Sequence, residues 1–327
     1  MDMFDCVAIG EILIDFTPAG SGRGGAARFA QNMGGAPANV ACALAKLGRK
    51  TAFIGKAGND GFGRFCADTL GRSGVDTSGL VLSDAHNTTL AFVHLSSDGD
   101  RSFSFYRKNS ADISLKKSEV SAKLLSSARI CHFGGVSLTD EPARGATLGA
   151  VQKAKKAGAI VTYDPNYRPS LWESAKTAKE VMLGALCLAD VVKLSEEEAE
   201  FFFGTDDAAR AIRAATEGCG VKMAFVTRGA RGAATVAQGR LLSSGAYSVK
   251  TVDTTGAGDC FFGGVLHNIL ALGKPIERID ADEALHMLRF ANAAGSMSTA
   301  KMGAVAAQPS LAAVRRCMES EKELGAG

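Results

Sequence analysis

At residues 252–264 the chain reads VDTTGAGDCFFGG, a polar turn rich in glycine that leads directly into apolar sequence. The apolar residues continue to Leu272, and Gly273 and Pro275 follow. Glycine just past a helix and proline shortly after it are the usual signals of a helix end. The stretch therefore predicts a turn followed by a buried α-helix that ends at Leu272.

The start of this predicted helix has the features of an anion site. Gly256 and Gly258 allow the backbone to approach a ligand closely, and the amides of a first helical turn have no acceptor within the helix. Asp259 follows directly, although a carboxylate beside a bound phosphate would repel it. One interpretation is that Asp259 accepts a proton from a hydroxyl that attacks a terminal phosphoryl group. The other is that it only complements the helix dipole.

The composition argues against several classes of protein. Hydrophobic residues make up 46% of the 327 residues, which is enough for a buried core, and the formal net charge is only +3. This charge is too small to favour a nucleic acid or a membrane surface as a partner. The 8 cysteines are dispersed without a C-x-x-C pair, as expected in a reducing compartment. Since there is also no secretory signal and no long apolar run, we expect a cytoplasmic protein.

The order of the predicted elements indicates an α/β protein. A buried strand at residues 4–9 is followed by an extended piece at 11–16, a glycine-rich loop, and a helix that starts at Ala36 and ends before Gly48. From residue 128 onward, helices alternate with four candidate strands, at 129–133, 160–164, 191–194 and 223–227. Such alternation is typical of a mainly parallel sheet with helices on both faces, in which ligands bind beyond the carboxyl ends of the strands.

A separate hairpin interrupts this alternation. Residues 90–95 and 101–107 alternate in polarity on either side of Ser97-Asp98-Gly99-Asp100, which predicts a β-hairpin with an Asp-Gly turn. We therefore expect a small sheet that stands off the main body. The prediction is one principal domain over residues 1–327, with lid strands inserted at about 11–30 and 88–110.

Two other nucleotide-binding patterns are missing from the sequence. The P-loop pattern G-x-x-x-x-G-K-[ST] does not occur. A dinucleotide fingerprint would follow the first strand, but Gly10 is followed there by Glu11-Ile12-Leu13. An NAD-dependent oxidoreductase is therefore disfavoured.

Taken together, these stretches resemble the ribokinase-like (PfkB) carbohydrate kinases. Residues 34–41, GGAPANVA, are similar to the N-terminal sugar-binding signature of that family, and residues 253–259, DTTGAGD, are similar to its C-terminal signature. The order of the elements between them is also similar, so the resemblance covers nearly the whole chain. It implies a ribokinase-like three-layer α/β sandwich, with a mainly parallel central sheet flanked by helices and a small β-sheet lid.

The resemblance also implies roles for individual residues. The residues that would hold the sugar are Asp15, Gly34, Gly35 and Asn39. Asp259 would be the general base, and the anion hole for charge on the transferred phosphoryl group would be formed by the amides of Gly256, Ala257 and Gly258. Asn166 and Arg168 follow the strand at 160–164; they either contact acceptor or phosphate oxygens or belong to an Asp-Pro turn with a surface arginine.

The implied cofactors are ATP and Mg²⁺. The residues implied on the ATP side are Lys193, Thr227, Gly229, Gly232, Gly256, Gly258 and Asn292. Glu198 stands where the family has a glutamate that organises Mg²⁺ through water, although Ser195 replaces the usual asparagine. By itself, this stretch is also typical of a helix start capped by serine. Asp253 and Thr255 could shape a loop for a monovalent cation such as K⁺.

The acceptor is the least determined part of the prediction. Residues 101–107, RSFSFYR, resemble the lid strand of fructokinases, and Arg107 either reaches an acceptor oxygen or lies on an exposed sheet face. D-Fructose, which would give fructose 6-phosphate, is the first candidate; 2-keto-3-deoxygluconate and aminoimidazole riboside are alternatives. A non-catalytic sugar or nucleotide sensor on the same fold is a further hypothesis. The hairpin edge predicts a homodimer through the lid.

Overall fold

The computed structural model describes residues 3–95 and 101–324, which form two β-sheets with flanking helices. The strands in this part of the chain are β1 (Phe4–Ile9), β2 (Leu13–Ser21), β3 (Ala27–Gly34), β4 (Thr51–Gly58), β5 (Val75–Ser83), β6 (Thr89–Leu95), β7 (Arg101–Tyr106), β8 (Ala128–Gly134), β9 (Ile160–Asp164), β10 (Val191–Ser195), β11 (Met223–Thr227), β12 (Ala233–Ala237) and β13 (Arg240–Ser244). The α-helices are α1 (Ala36–Lys46), α2 (Gly61–Arg72), α3 (Ala122–Ser126), α4 (Ala143–Lys156), α5 (Ala175–Leu186), α6 (Glu196–Phe203), α7 (Ala208–Arg213), α8 (Ala257–Leu272), α9 (Ala281–Ser298) and α10 (Leu311–Leu324).

The larger sheet has nine strands in the order β13-β12-β11-β10-β9-β8-β1-β4-β5. Its neighbours are parallel from β11 through β5, whereas β12 and β13 form an antiparallel edge. Parallel strands need crossover connections, which here carry helices that cover both faces. Val7 and Ile9 of β1 therefore pack into one core cluster, and Cys6 and Ala8 pack into clusters on the opposite face. The predicted mainly parallel sheet is confirmed.

The smaller sheet has four strands in the order β3-β2-β6-β7. Aromatic side chains hold its outer part together: the rings of Phe16 and Phe92 stack at 4.9 Å, and Tyr106 meets Phe92 edge-on at 5.5 Å. The predicted separate sheet is confirmed, but it also contains β3, which the sequence analysis did not separate from the glycine-rich loop. The predicted turn at 97–100 lies outside the described residues.

Helix α8 begins and ends where the sequence predicted. Gly256 and Gly273 flank it in left-handed conformations, with φ of +77° and +60°. Two of its glycines let it pack closely between α1 and α9: a Cβ on Gly263 would lie 2.8 Å from the Cβ of Ala43, and one on Gly264 would lie 2.9 Å from the Cα of Ala291. This close packing brings the first turn of α8 beside the first turn of α1.

Several strand ends meet at one edge of the larger sheet, because parallel strands share a direction. Strand β9 ends at Asp164, β10 at Ser195 and β11 at Thr227. The start of α8 and the smaller sheet stand over this same edge. Among the described helices, none is both long enough and apolar enough to cross a membrane.

Candidate active site

A cavity of about 440 Å³ lies between the smaller sheet and the carboxyl edge of the larger one. Its wall includes most of the residues predicted for the sugar and for the phosphoryl transfer, namely Asp15, Gly35, Asn39, Asn166, Arg168, Lys193, Gly256, Gly258 and Asp259. Phe103 and Phe105 of β7 also line it. The fold therefore brings together residues that are more than 200 positions apart in the sequence.

Asp259 lies in the first turn of α8 and is only 9% exposed. Its Oδ2 accepts a hydrogen bond from Nδ2 of Asn39 in α1 at 2.8 Å. Burial and the charge of Asp164 together raise the pKa of Asp259 to about 6, against the opposing effects of Asn39, Lys193 and Arg168. A carboxyl group with such a pKa can accept a proton at neutral pH and is a suitable general base.

The glycine turn before α8 is held by its own backbone. The amide of Ala257 donates to the carbonyl oxygen of Thr254 at 3.2 Å, so one of the three predicted anion-hole amides has a partner within the turn. Gly256 packs against Ala304, where a Cβ would lie 2.6 Å from the Cβ of Ala304. Gly258 faces Lys193, and a Cβ there would lie 3.2 Å from Nζ. The backbone of Gly258 and the ammonium group of Lys193 therefore lie side by side at the start of α8.

Lys193 forms a buried ion pair with Asp164 on the neighbouring strand. Nζ lies 2.8 Å from Oδ2 and 3.0 Å from Oδ1 of Asp164. Burial alone would lower the pKa of Lys193, but the carboxylates of Asp164 and Glu198 outweigh it and raise the pKa above its usual value. Lys193 is therefore a fixed positive charge in the cavity wall, suited to phosphate oxygens.

Glu198 joins the loops that follow β9 and β10. Its Oε1 accepts from the amide of Tyr167 and its Oε2 accepts from the amide of Ser195, each at 2.8 Å. Ser195 in turn caps α6 by accepting from the amide of Glu198. The helix-start interpretation of this stretch is thereby confirmed. The predicted link from Glu198 to Mg²⁺ through water stays a prediction.

Asp15 and Gly35, two of the residues predicted to hold the sugar, line the cavity, and Gly34 lies directly beside them. Asp15 on β2 is 9% exposed, and burial raises its pKa to about 7, opposed by Arg168 and reinforced by Asp259. A Cβ on Gly34 would lie 2.1 Å from Oδ2 of Asp15, and Gly35 has a φ of +109°. Only glycine at both positions lets this turn pass so close to the carboxylate.

Arg168 and Asn166 reach the cavity from the loop after β9. Asn166 has a φ of +46°, and Arg168 lies over the ring of Phe103 at 5.6 Å. The charge of Arg168 acts on both Asp15 and Asp259. The structure therefore connects this loop to the small sheet and places Arg168 in the cavity wall, while the predicted contact with acceptor or phosphate oxygens stays a prediction.

Arg107 is buried beside the first cavity, and its predicted contact with the acceptor stays a prediction. It is 6% exposed, and its guanidinium donates to Oδ2 of Asp112 at 2.7 Å, to Oγ1 of Thr139 at 2.6 Å and to the carbonyl oxygen of Val136 at 2.9 Å. A buried guanidinium needs such partners because desolvation is costly. Val136 does line the cavity, so Arg107 supports the wall from outside it.

A second cavity of about 500 Å³ adjoins the first. Four of the residues predicted on the ATP side line it together with Gly258: Thr227, Gly229, Gly232 and Asn292. Thr227, Gly229, Thr254 and Gly258 line both cavities. Asn292 donates from Nδ2 to the carbonyl oxygen of Ser244 at 2.9 Å, which fixes its side chain in the wall. The two cavities therefore meet at Gly258, with residues predicted on the ATP side around the second one.

Asp253 fixes the loop that carries the glycine turn. Its Oδ1 accepts from the amide of Thr255 and its Oδ2 from the amide of Gly303, each at 2.9 Å. It is 2% exposed. The carboxylate thus ties the turn before α8 to the segment after α9, and its predicted role in a monovalent-cation loop stays a prediction.

Comparisons with known proteins agree with this geometry. Residues 3–311 match the description "pfkB family carbohydrate kinase". Fructokinase-1 of Oryza sativa subsp. japonica is 42% identical over 316 residues, which is 96% of this chain and 97% of that protein. The crystal structure of a fructokinase with bound ATP from Xylella fastidiosa superposes with a TM-score of 0.89 at 33% identity, covering 98% of this chain and 100% of that one.

The chain belongs to the pfkB family of carbohydrate kinases. A second solved structure, a fructokinase double mutant from Vibrio cholerae O395 in fructose-, ADP- and potassium-bound form, gives a TM-score of 0.86 at 33% identity over 97% of this chain and 99% of that one. The family and the ribokinase-like α/β fold predicted from the two signatures are confirmed.

Two residues of this pfkB kinase site were missed by the sequence analysis. Asp164 stood in the predicted strand, but its pairing with Lys193 depends on β9 and β10 being neighbours. Glu11 was named only because it follows Gly10 where a dinucleotide fingerprint would stand, yet it lines the first cavity and is 2% exposed. A carboxylate at the end of a buried strand (Asp164) or two residues past one (Glu11) was the available signal.

Proposed function

We propose that this chain is an ATP-dependent fructokinase that transfers the γ-phosphoryl group of ATP to the 6-hydroxyl of D-fructose. The observation that carries the proposal is the position of Asp259, buried at the point where the two cavities meet and held there by Asn39. The similarity to fructokinases over nearly the whole chain supports fructose as the acceptor.

The residues of the site suggest how the transfer proceeds. Asp259 accepts the proton of the attacking hydroxyl, whose oxygen forms a bond to the γ-phosphorus while the bond from phosphorus to the ADP oxygen breaks. Lys193 and the turn at Gly256 and Gly258 lie beside this point and would stabilise the negative charge on the phosphoryl group. Asp15, Asn39 and the Gly34–Gly35 turn would orient the sugar, since orientation supplies much of the rate in this reaction.

We infer that Mg²⁺ accompanies ATP in this site. When bound, the ion would neutralise charge on the β- and γ-phosphates. Within the described ranges, no group of three or more His, Cys, Asp or Glu side chains is arranged to hold a metal ion. This fits a cation that binds mainly to substrate phosphates and water. Glu198 would contact that water, because each of its oxygens keeps a second lone pair beside its bond to a backbone amide.

We further propose that K⁺ supports the turn before α8. Asp253 joins the backbone of Thr255 to that of Gly303, which leaves carbonyl oxygens of the same loops as ligands for a monovalent cation. The potassium-bound form of the Vibrio cholerae fructokinase supports this proposal. Replacement of K⁺ by the larger organic cation tetramethylammonium should lower kcat and leave the fold unchanged by circular dichroism.

The small sheet is proposed to act as a lid and as the interface of a homodimer. Phe103 and Phe105 of β7 line the cavity, and Tyr106 and Phe29 of the same sheet are 66% and 40% exposed. An open sheet edge with exposed aromatic rings is a suitable surface for a second copy. We also propose that the enzyme works in the cytoplasm, where its eight free thiols would stay reduced.

The proposed function is tested by measuring ADP release with MgATP and D-fructose, 2-keto-3-deoxygluconate, D-ribose or aminoimidazole riboside. We expect the highest kcat/KM with fructose and its loss in Asp259→Asn. Asp282→Asn is the matched control, since Asp282 is also an acid in the first turn of a helix but is exposed on α9. Preference for another acceptor would overturn the substrate, and no turnover with any of them would favour a non-catalytic sensor.

A further inference from the structure

Glu11 is a buried acid in the cavity wall to which the proposed mechanism gives no role. It follows β1 after Gly10 and therefore lies at the same edge of the large sheet as Asp164. It shares the wall with Asp15, Asn39 and Asp259 and is 2% exposed. A carboxyl group is rarely buried so completely unless it has a partner or a function.

One of its oxygens has a structural partner. Oε1 accepts a hydrogen bond from the amide of Ala36, the first residue of α1, at 2.9 Å. Gly35 precedes Ala36 and has no side chain to cap the helix, so Glu11 supplies the missing acceptor from another element. The backbone of Glu11 also supports the turn, because a Cβ on Gly35 would lie 2.4 Å from the carbonyl oxygen of Glu11. Oε1 therefore fixes the glycine turn and the start of α1.

The other oxygen has no partner. Oε2 of Glu11 is buried and makes no hydrogen bond to any part of the chain that the structure describes. A buried polar atom without a partner destabilises the fold, and such atoms call for an explanation where they occur. At the wall of an acceptor site, the missing partner is expected to be a polar group of the ligand.

The surroundings of Glu11 favour its neutral form. Burial raises its pKa to about 8; Arg107 opposes the shift and Asp112 reinforces it. Asp15, Asp259 and Arg168 are the other charged side chains along this part of the wall. With the proton on the oxygen that does not accept from Ala36, the group has one hydrogen-bond donor available.

We propose that Glu11 is a further sugar-binding residue, whose Oε2 donates a hydrogen bond to a hydroxyl oxygen of the acceptor. This inference rests on the proposed sugar kinase activity and extends it. Asp15 would accept from one hydroxyl of the sugar while Glu11 donates to another. Because donor and acceptor are not interchangeable, the pair would discriminate between sugars that place hydroxyls differently, and loss of either contact would weaken binding.

Three forms of the enzyme test this proposal: wild type, Glu11→Gln and Glu11→Met. Glutamine keeps a carbonyl oxygen for the amide of Ala36 and places an N–H donor at the other position, whereas methionine has neither group. We expect Glu11→Met to raise KM for fructose by about tenfold, the value of one hydrogen bond, with KM for ATP unchanged. Glu11→Gln should recover most of this loss.

The dependence of KM on pH separates sugar binding from a purely structural role. In the wild type the donor is present below pH 8 and is lost as the pH rises through that value, so KM for fructose should increase above it. The amide of Glu11→Gln does not titrate, so its KM should stay constant over the same range. Equal pH profiles for the two proteins would overturn the proposal. So would an unchanged KM in Glu11→Met with only a lower melting temperature.

Deoxy analogues of fructose identify the hydroxyl and keep this test distinct from that of the proposed function. To the wild type, one monodeoxy sugar should bind about tenfold more weakly than fructose. To Glu11→Met, this same sugar and fructose should bind with equal affinity, because the contact is already lost. If the enzyme phosphorylates another acceptor and not fructose, binding of that acceptor and its deoxy analogues is compared by calorimetry in the same way. Additive losses for every analogue would overturn the role of Glu11, whereas absence of binding by any sugar would overturn both proposals.

Discussion

The buried ion pair between Lys193 and Asp164 allows a prediction about stability that is separate from catalysis. Nζ of Lys193 lies 2.8 Å from Oδ2 of Asp164, and the two side chains are only 8% and 1% exposed. Lys193→Met keeps the apolar stem and removes the charge, which leaves the carboxylate of Asp164 buried without a cation. Removing one partner of a buried pair costs about 3–5 kcal/mol, and we expect this loss in the free energy of unfolding.

Two further variants show whether the loss comes from the unpaired charge. In Lys193→Met with Asp164→Asn, the carboxylate is also gone, so we expect more than half of the lost stability to return. Arg72→Met removes the cation of an exposed pair with Asp68, whose side chains are 77% and 67% exposed, and should change stability by less than about 0.5 kcal/mol.

Urea denaturation followed by circular dichroism measures all of these free energies. A loss below about 1 kcal/mol in Lys193→Met would mean that Asp164 finds solvent or another partner, and the reasoning from burial would be refuted. A double variant less stable than the single one would refute it as well. The double variant should also be inactive, since the positive charge beside Gly258 is absent, and its regained stability would show that the inactivity is not caused by unfolding.

Two more predictions concern the base and the sugar. Because burial raises the pKa of Asp259 to about 6, kcat/KM should rise as the pH increases through 6. Asn39→Ala removes a hydrogen bond that opposes this shift, so the rising limb of the pH–rate profile should move to higher pH. A limb that does not move would contradict the assignment of Asp259 as the base. Gly34→Ala places a Cβ 2.1 Å from Oδ2 of Asp15, so kcat/KM for fructose should fall about a hundredfold with KM for ATP unchanged. Gly184→Ala, where an added Cβ has no neighbour within 4 Å, is the control, and an equal effect of both changes would contradict the steric argument.

The elements that could be predicted from sequence are those whose signals are local. Helix α8 was predicted to its last residue because its sequence is apolar and Gly273 directly follows it. Strands β1, β9 and β11 were predicted with their observed bounds because each is a short apolar run between polar residues. By contrast, only Met33 and Gly34 of β3 are buried, so no core-facing pattern distinguished this strand from the glycine-rich loop.

Side-chain partners could not be predicted where they depend on which elements become neighbours. Lys193 meets Asp164 because β10 lies beside β9, and the order of strands in a sheet is not written in either strand. The sequence also carried no sign that Arg107 is buried against Asp112 and Val136, while its predicted contact with the acceptor stays a prediction. A charged side chain takes the partner nearest to it in the folded chain, and sequence position alone does not identify that partner.

The balance of charge in the site explains why a base and a phosphate site can share one helix start. The cavity and its immediate support contain more buried carboxyl groups than cations: Glu11, Asp15, Asp112, Asp164, Glu198 and Asp259 against Lys193, Arg107 and the half-buried Arg168. Each carboxyl group disfavours the charged form of its neighbours, which is why Asp164 raises the pKa of Asp259 and Asp259 raises that of Asp15.

A triphosphate entering this site would meet net negative charge, so the turn at Gly256–Gly258 and Lys193 would not suffice to hold it. The proposed Mg²⁺ would then be needed for binding as well as for the reaction. The surplus of carboxyl groups also helps to hold the pKa of Asp259 at about 6, where it can take up a proton, and the arriving Mg²⁺ would favour its charged form. Binding of ATP with Mg²⁺ would thus convert Asp259 to the charged form that can accept the proton. This explains why an acid stands at a helix start that would otherwise attract only the phosphate.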